Sequence, residues 1–284
     1  FSGTASTVNS DDTTRNLTVS ASEIEFDGAV GGSAALGEIS ITGDLNLDAA
    51  IGNGATAGAT SIEVSGISNL GADVTTSSTQ TYTGAVTLSG GDRTLQGSTI
   101  NFGNTLTGTA SHDLIITGAL NLDGAATNIV DLSVSTTSDL GANVTTSGTQ
   151  QYDGVTTLST NVTLTTTDSN VTFNDKVISE GETNRNLTID TNGNTGTVVF
   201  GNATTDTIGV TNGYDLGVID ITGNLDLNAA IGNGATAGAT SIEVSGISNL
   251  GADVTTSSTQ TYTGAVTLSG GDRTLQGSTI NFGN

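Results

Sequence analysis

The chain has 284 residues, of which 40 are glycine, and it contains no proline, cysteine, methionine or tryptophan. Its 28 acidic residues outnumber five cationic ones, giving a net charge of −23, which excludes nucleic acid and disfavours an anionic membrane surface as partners. The lack of cysteine removes disulfides and thiolate metal sites, and no apolar run is long enough to insert into and cross a bilayer.

Internal repeats dominate the sequence. Residues 49–104 recur without change at 229–284, and a diverged third copy lies between them. The three copies lie near 36–104, 112–175 and 216–284. Because a fold that adds similar layers suits such a pattern, we predict one continuous repetitive segment, 1–284, of a longer protein.

Short stretches of alternating apolar and polar residues are separated by Gly, Asn, Asp and Ser. In chain order, the first copy and the residues before it predict strands at 17–21, 23–26, 38–43, 61–66, 85–90 and 99–103. Such alternation, bounded by turn formers, is typical of strands. The alanine-rich segment 49–61 is interrupted by Gly and Asn and predicts a loop rather than a helix. The chain is therefore predicted to be all-β.

One series of apolar anchors predicts the architecture: Val19, Ile41, Val64, and then Val86 or Leu88. The anchors recur about every 22 residues, which is the length of one coil of a parallel β-helix, or β-solenoid, with three short strands. The alternative is a tandem array of β-sandwich domains, which normally have a heavier aromatic core and proline in their loops. With four Tyr, six Phe and no Trp, the chain favours the β-helix.

Few residues are candidates for catalysis. His112 is the single histidine, so a catalytic triad would depend on it alone, and we interpret it as a solvated turn residue. Acidic pairs suited to glycoside hydrolysis are not kept between copies, since Asp44 becomes Asn224 and Asp73 corresponds to Asn143. These positions are interpreted as polar turn and ladder positions.

Three further activities are disfavoured. A polysaccharide lyase needs clustered cations, whereas Arg93 and Arg273 each lie without a second cation nearby in the sequence. The glycine-rich segment 52–58 lacks the Walker lysine and the Rossmann spacing and predicts a protruding loop. An ice-binding surface needs flat ranks of threonine, and the threonine-rich stretch 163–167 is irregular. We therefore predict that the protein is not an enzyme.

Calcium is the one cofactor that the sequence leaves open. Acidic turns contain the candidate ligands Asp11, Asp12, Asp92 and Asp168, and Ca²⁺ takes carboxylate, amide and carbonyl oxygens. Neither an EF-hand loop nor a GGxGxD repeat is present. Dispersed surface charge that keeps the protein in solution is the alternative.

Three glutamines each precede a tyrosine by two residues and share its strand face: Gln80 with Tyr82, Gln150 with Tyr152, and Gln260 with Tyr262. Exposed rows of this kind bind glycans by stacking. The preferred interpretation is that each tyrosine closes an apolar layer while its hydroxyl reaches water.

The segments RNLTV at 15–19, ITGDLNL at 41–47 and TSSTQTYTGAVTL at 76–88 resemble the repeats of large bacterial secreted surface proteins related to filamentous haemagglutinin, often called β-strand-repeat proteins. The resemblance covers essentially the whole chain. It implies a right-handed β-helical shaft, export through an outer membrane, and an extracellular location at the bacterial cell surface.

The function expected from these features is structural or adhesive: the shaft of a surface fibre, sheath or matrix filament. Its main partner would be other copies of itself, because the unchanged repeat offers one surface twice. The axial period of such a fibre would be about 40 Å for eight coils. The alternative is an adhesin module that binds glycans or a host surface.

Overall fold

The computed structural model describes residues 6–11, 13–109, 111–193, 195–203, 205–209 and 214–283. All regular secondary structure in these ranges is β-strand, and the strands stack in parallel as a β-solenoid of about 12 turns. The predicted parallel β-helix is therefore confirmed. The sandwich alternative is wrong, because a sandwich is built from antiparallel sheets. Within these same ranges no helix is long and apolar enough to cross a membrane.

The chain divides into two units, Phe1–Ser135 and Thr136–Asn284. The strands of the first unit are β1 (Leu17–Phe26), β2 (Leu36–Leu47), β3 (Ala59–Val64), β4 (Ser68–Leu70), β5 (Val74–Thr75), β6 (Thr79–Tyr82), β7 (Val86–Leu88), β8 (Arg93–Phe102), β9 (Leu106–Thr107), β10 (Leu114–Leu122), β11 (Ala126–Ile129) and β12 (Leu132–Val134).

The strands of the second unit are β13 (Ser138–Leu140), β14 (Val144–Thr146), β15 (Gln150–Tyr152), β16 (Thr156–Leu158), β17 (Val162–Thr165), β18 (Val171–Phe173), β19 (Val177–Ser179), β20 (Arg185–Asp190), β21 (Thr197–Phe200), β22 (Thr207–Ile208), β23 (Leu216–Thr222), β24 (Asn224–Leu227), β25 (Ala230–Ile231), β26 (Ala239–Val244), β27 (Ser248–Leu250), β28 (Val254–Thr255), β29 (Thr259–Tyr262), β30 (Val266–Leu268), β31 (Leu275–Gln276) and β32 (Thr279–Phe282).

Each strand stacks on a strand one turn later, and the turn length varies around the predicted 22 residues. In the first unit Ile39 pairs with Ile62, 23 positions on, and Ile62 pairs with Gln80, 18 positions on. A long step of 32 positions joins Leu187 to Ile219 in the second unit. Most extra residues enter the connections between strands, and the register also shifts locally where β20 pairs with β23, between Arg185 and Leu187.

The core is a set of columns that run from turn to turn inside each unit. One column in the first unit contains Val30, Ile51, Val74 and Leu95, which are joined by parallel bridges and fully buried. Each buried aliphatic side chain of this kind contributes about 1.5–3 kcal/mol relative to its exposed state. A modest number of apolar residues is sufficient to fill the core, because each turn has only a few inward-facing positions.

Aromatic rings form a second kind of column. The rings of Tyr82 and Phe102, one turn apart, are stacked with centroids 5.7 Å apart. In the second unit Phe173 lies between Tyr152 and Phe200, with 5.3 Å between neighbouring centroids. Offset stacking of this geometry adds to the gain from burial.

Glycine allows a long strand to turn a corner of the solenoid. β2 passes from one side to the next at Gly43, which has a φ of +132°. A Cβ at this position would lie 1.8 Å from the carbonyl oxygen of Ala21 in the preceding turn. Gly223, in the second copy of the same sequence, has a φ of +147°. Only glycine fits this corner, since both the backbone conformation and the neighbouring turn exclude a side chain.

Candidate functional surfaces

Three buried glutamine–tyrosine pairs lie inside the stack. Gln80 donates through Nε2 to the carbonyl of Val74 in its own turn and to that of Gln96 in the next, at 3.0 and 2.8 Å. Its Oε1 accepts a hydrogen bond from the Tyr82 hydroxyl at 3.1 Å. The tyrosine contact is repeated twice, by Gln150 with Tyr152 and by Gln260 with Tyr262. Each pair joins two turns through a fully hydrogen-bonded amide.

The interpretation that these tyrosine hydroxyls reach water is wrong. Tyr82, Tyr152 and Tyr262 are fully buried, and the loss of hydration raises the pKa of each phenol above its ordinary value. Two-residue spacing correctly places glutamine and tyrosine on one strand face, but this is the inner face. The rings are therefore not available for stacking on a glycan.

Polar side chains at the corners join successive turns by accepting hydrogen bonds. Asp44 Oδ1 accepts from the backbone N–H of Ile67 at 2.8 Å, and Asn224 Oδ1 accepts from Ile247 at 3.0 Å. Backbone N–H groups of the following turn are bound in the same way by Asp73, Asn143 and Asp253. Only an acceptor oxygen is needed, so carboxylate and amide exchange freely between the copies. The interpretation as ladder positions is confirmed.

One donor–acceptor pair is reversed between the copies. In the first copy Asn46 Nδ2 donates to Asp48 Oδ2 at 3.2 Å. In the second copy the residue types are exchanged, and Asn228 Nδ2 donates to Asp226 Oδ2 at 3.3 Å. The hydrogen bond is kept although both residues have changed, which identifies the contact itself as the conserved feature.

The side chains of Arg93 and His112 take part in local contacts. Arg93 Nη1 lies 3.3 Å from Asp73 Oδ1, and Arg93 Nε donates to the carbonyl of Ser89 at 3.1 Å. His112 precedes β10, is half-buried, and its Nδ1 lies 3.7 Å from Asp92 Oδ1. The Arg93 contacts secure one turn to another, and His112 lies at a turn as predicted.

Of the predicted calcium ligands, Asp11, Asp92 and Asp168 lie in separate turns. Asp11 pairs with Arg15 at 3.1 Å, and this contact lowers the pKa of the Asp11 carboxyl. Asp92 Oδ1 accepts from the backbone N–H of Asp113 at 3.0 Å. Asp168 has a φ of +49° and accepts from the Thr195 hydroxyl at 3.3 Å. Asp12 lies outside the described residues. A role for calcium stays a prediction.

A different acidic group is assembled by the stacking of the first two turns. One carboxylate oxygen from each of Glu25, Asp27 and Asp48 lies within 4.8 Å of the other two. Sequence reasoning missed Glu25 and Asp27 because they are remote in sequence from Asp48. The coil spacing could have revealed this group, because Glu25 pairs directly with Asn46, two residues before Asp48.

The glycine-rich segment 52–58 and the threonine-rich stretch 163–167 have local structural roles. Asn53 Oδ1 accepts from the backbone N–H of Thr56 at 2.7 Å, which closes a turn within the predicted loop. In the other stretch, Thr166 is buried and donates to the carbonyl of Ser169 at 2.6 Å. Thr166 is therefore not part of an exposed rank of threonines.

A trough follows the surface of the second unit. Three adjoining depressions of about 360, 200 and 400 Å³ form it. The first two share Ala230 and Asp253, and the last two share Asn228 and Gly251. Other polar lining residues are Asn174, Asn202, Thr207, Thr255 and Arg273. Amide, hydroxyl, carboxylate and guanidinium groups of this kind form hydrogen bonds with sugar hydroxyls.

Two turns have one open side in the structure. We call β30, β31 and β32 the C-terminal edge, and Val8 with β1 the N-terminal edge. At the C-terminal edge Leu268 and Phe282 are exposed apolar side chains. At the N-terminal edge Leu17 and Val19 are half-buried, whereas Ile39, which pairs with Leu17 one turn later, is fully buried. Among the described residues, β1 pairs with β2 and β32 pairs with β29.

No protein-family model, curated protein or solved structure matches this chain. The resemblance to β-strand-repeat surface proteins therefore stays a prediction from the sequence. The fold is compatible with a structural or adhesive role.

Proposed function

We propose that this chain is a structural segment of a surface fibre, sheath or matrix filament. The observation that carries the proposal is that each turn supplies the partners that its neighbour needs. These partners include corner acceptors such as Asp73, and stacked rings such as Tyr82 on Phe102. A fold of this kind lengthens by adding turns and needs no new core.

An extracellular location at the bacterial cell surface is part of the proposal. The resemblance of the repeats to secreted surface proteins supports it, and the net charge of −23 keeps such a repetitive chain in solution before it assembles. Antibodies raised against the chain should label intact cells. Labelling that requires permeabilised cells would contradict this location.

The fibre itself is tested by electron microscopy of the purified chain over a range of concentrations. We expect filaments with an axial period of about 40 Å, the value that the sequence repeat predicts for eight turns spaced about 4.8 Å apart. Particles that remain single chains at every concentration would contradict the proposal. So would a period unrelated to the repeat.

Glycan binding is a second candidate function, favoured by the hydrogen-bonding side chains that line the trough of the second unit. Ala230 forms part of its floor, so Ala230→Arg should fill the trough and abolish binding of neutral oligosaccharides on a glycan array. Ile247→Arg, at an exposed residue of the second unit that does not line the trough, is the control. Wild-type protein that binds no glycan would remove this candidate.

A further inference from the structure

The same Asn-Gly dipeptide occurs in the same loop of both copies of the repeat, as Asn53–Gly54 in the first unit and Asn233–Gly234 in the second. All four residues are exposed. Gly54 and Gly234 have φ values of +79° and +80°, and a Cβ built on either glycine would point into open space. The peptide bond that joins each asparagine to its glycine is therefore open to solvent on this side.

The loop holds the side-chain amide of each asparagine by its oxygen. Asn53 Oδ1 accepts hydrogen bonds from the backbone N–H groups of Ala55 and Thr56, at 3.2 and 2.7 Å. The second copy repeats both bonds, to Asn233 Oδ1, at 3.1 and 2.7 Å. Two N–H donors on one amide oxygen stabilise the negative charge that develops there when a nucleophile attacks the amide carbon, as an oxyanion hole does.

Chain connectivity places a nitrogen nucleophile beside each amide carbon. A bond from Gly54 N to Asn53 Cγ closes a five-membered ring, and a reaction within one molecule avoids the entropic cost of bringing two reactants together. In the second copy the N–H of Gly234 also donates to Thr255 Oγ1 at 3.2 Å, and this bond must break before the nitrogen can attack. Asn53 is therefore the more reactive of the two asparagines.

We propose that Asn53 and Asn233 are self-modifying sites, at which the side-chain amide becomes a carboxylate without an enzyme. Gly54 N loses its proton to water and attacks Asn53 Cγ, so that a bond forms between these two atoms. The bond from Cγ to Nδ2 then breaks, and Nδ2 takes a proton from water and leaves as ammonia. Water opens the cyclic imide at Cγ to give aspartate, or at the backbone carbonyl carbon to give isoaspartate. No atom is oxidised or reduced, and water is the only co-reactant.

A third Asn-Gly pair in the described part of the chain, Asn192–Gly193, has different surroundings. An oxygen of the Asp168 carboxylate occupies the space that a Cβ of Gly193 would fill. Its negative charge opposes the further negative charge that would develop on the Asn192 amide oxygen during attack. The sequence makes the three pairs alike, and their surroundings make Asn192 the least reactive.

The site in the second unit lies on the trough. Asn233 and Gly234 line it together with Asp253, so conversion of Asn233 adds a carboxylate there. An aspartate keeps the acceptor oxygen that the loop uses, as it does at the corners where Asp44 and Asn224 exchange. Isoaspartate instead adds a methylene to the backbone of the loop. The negative charge of the protein therefore increases with its age.

The test follows the conversion of each asparagine in the 284-residue chain at mildly alkaline pH, both folded and in concentrated urea. Trypsin cleaves after arginine and separates the two copies, because it gives the peptides 16–93 and 186–273. Mass spectrometry measures the amount of acid formed in each peptide, and fragmentation distinguishes Asn192 from Asn233. The variant Asp168→Asn removes the charge beside Gly193, and far-UV circular dichroism establishes that it is folded.

In the folded chain Asn53 should convert at least about tenfold faster than Asn192, with Asn233 between them. The three rates should converge in urea, because the loops and their donors are then lost. Asp168→Asn should raise the rate at Asn192 severalfold and leave the rate at Asn53 unchanged. Equal rates at Asn53 and Asn192 in the folded chain would overturn the inference. An order that persists in urea would also overturn it, since local sequence rather than the loop would then set the rates.

Discussion

At the scale of single residues, polar side chains join one turn to the next through hydrogen bonds. Gln80 links two backbone carbonyls and a tyrosine hydroxyl inside the stack, while Asp44 and its counterpart Asn224 accept a backbone N–H at a corner. A buried amide with all its partners is stabilising, and the same amide without them is costly. The identity of an inward polar residue is therefore constrained more strongly than that of an outward one.

Adjacent glutamines test this constraint. Gln150 is fully buried and bonded to Tyr152, whereas Gln151 is exposed on the other face of the same strand. Gln150→Ala should lower the free energy of unfolding by about 2–4 kcal/mol, because it removes four side-chain hydrogen bonds and leaves buried partners unsatisfied. Gln151→Ala should change it by less than about 0.5 kcal/mol. Urea denaturation followed by circular dichroism measures both, and equal losses would contradict the prediction.

The buried tyrosines predict a loss of stability in alkali. Burial raises the pKa of Tyr82, Tyr152 and Tyr262 in the folded state, so the folded chain binds more protons than the unfolded chain above the ordinary phenol pKa of about 10. Stability should be unaffected below that pH and should fall as the pH rises above it.

Replacing all three buried tyrosines by phenylalanine should flatten this alkaline decline, although it lowers stability at neutral pH through the lost hydrogen bonds to glutamine. Tyr214→Phe, at an exposed tyrosine, is the control and should keep the decline. Urea midpoints at pH 8 and pH 11 give the comparison. An unchanged decline in the triple variant would show that other groups cause it.

At the scale of the element, a strand is defined by what lies above and below it. β8 runs unbroken from Arg93 to Phe102 where β10 covers it, but the same sequence at the C-terminal edge forms only the short strands β31 and β32. Local propensity is the same in both places, so the pairing partner decides the length of the strand.

This contrast predicts unequal effects of one substitution at equivalent positions. Leu88→Ala should cost about 2–5 kcal/mol because it leaves a cavity between two turns. Leu268→Ala should cost less than about 1 kcal/mol, since its side chain is already exposed to solvent at the edge. Denaturation of both variants under identical conditions measures the two changes in the free energy of unfolding. Similar losses would mean that Leu268 is covered in solution.

Sequence reasoning was successful where the alternation was long and incomplete where strands were short. The strand predicted at 38–43 lies within β2, and that at 99–103 largely coincides with the end of β8. Two- and three-residue strands such as β4 and β5 give too little alternation to be recognised. Their positions follow only once the turn length is known, because β5 is placed by its pairing with β8.

The candidate sites were harder to predict, for a related physical reason. The group formed by Glu25, Asp27 and Asp48 exists only because two turns stack in one particular register. The inward orientation of Tyr82 depends on which strand face meets the core, and two-residue spacing does not distinguish the two faces. Predicting a contact across turns therefore requires the register in which the strands pair. Predicting the fold class requires only the spacing of the apolar anchors along the sequence.

At the scale of the whole molecule, the balance of charge opposes folding. A net charge of −23 on 284 residues brings like charges closer together in the folded chain than in the unfolded one. Of the cations, Arg93 is held by Asp73 and Arg15 by Asp11. Stacking and hydrogen bonds must therefore offset the remaining repulsion.

Salt should accordingly stabilise the protein. Raising NaCl from about 0.01 to about 0.1 M shortens the Debye length from about 30 to about 10 Å, and the thermal midpoint at pH 7 should rise. The same experiment near the isoelectric point of about 4.1 is the control and should give little change, because the net charge is then close to zero. A midpoint at pH 7 that does not depend on salt would contradict this explanation.

The reversed pair at Asn46 with Asp48 and Asp226 with Asn228 has a consequence for how such a chain evolves. Aspartate and asparagine codons differ by a single nucleotide, and the corner contacts accept either residue. Single-nucleotide changes at these corners can therefore alter the surface charge of the solenoid, while the hydrogen bonds that join its turns are kept.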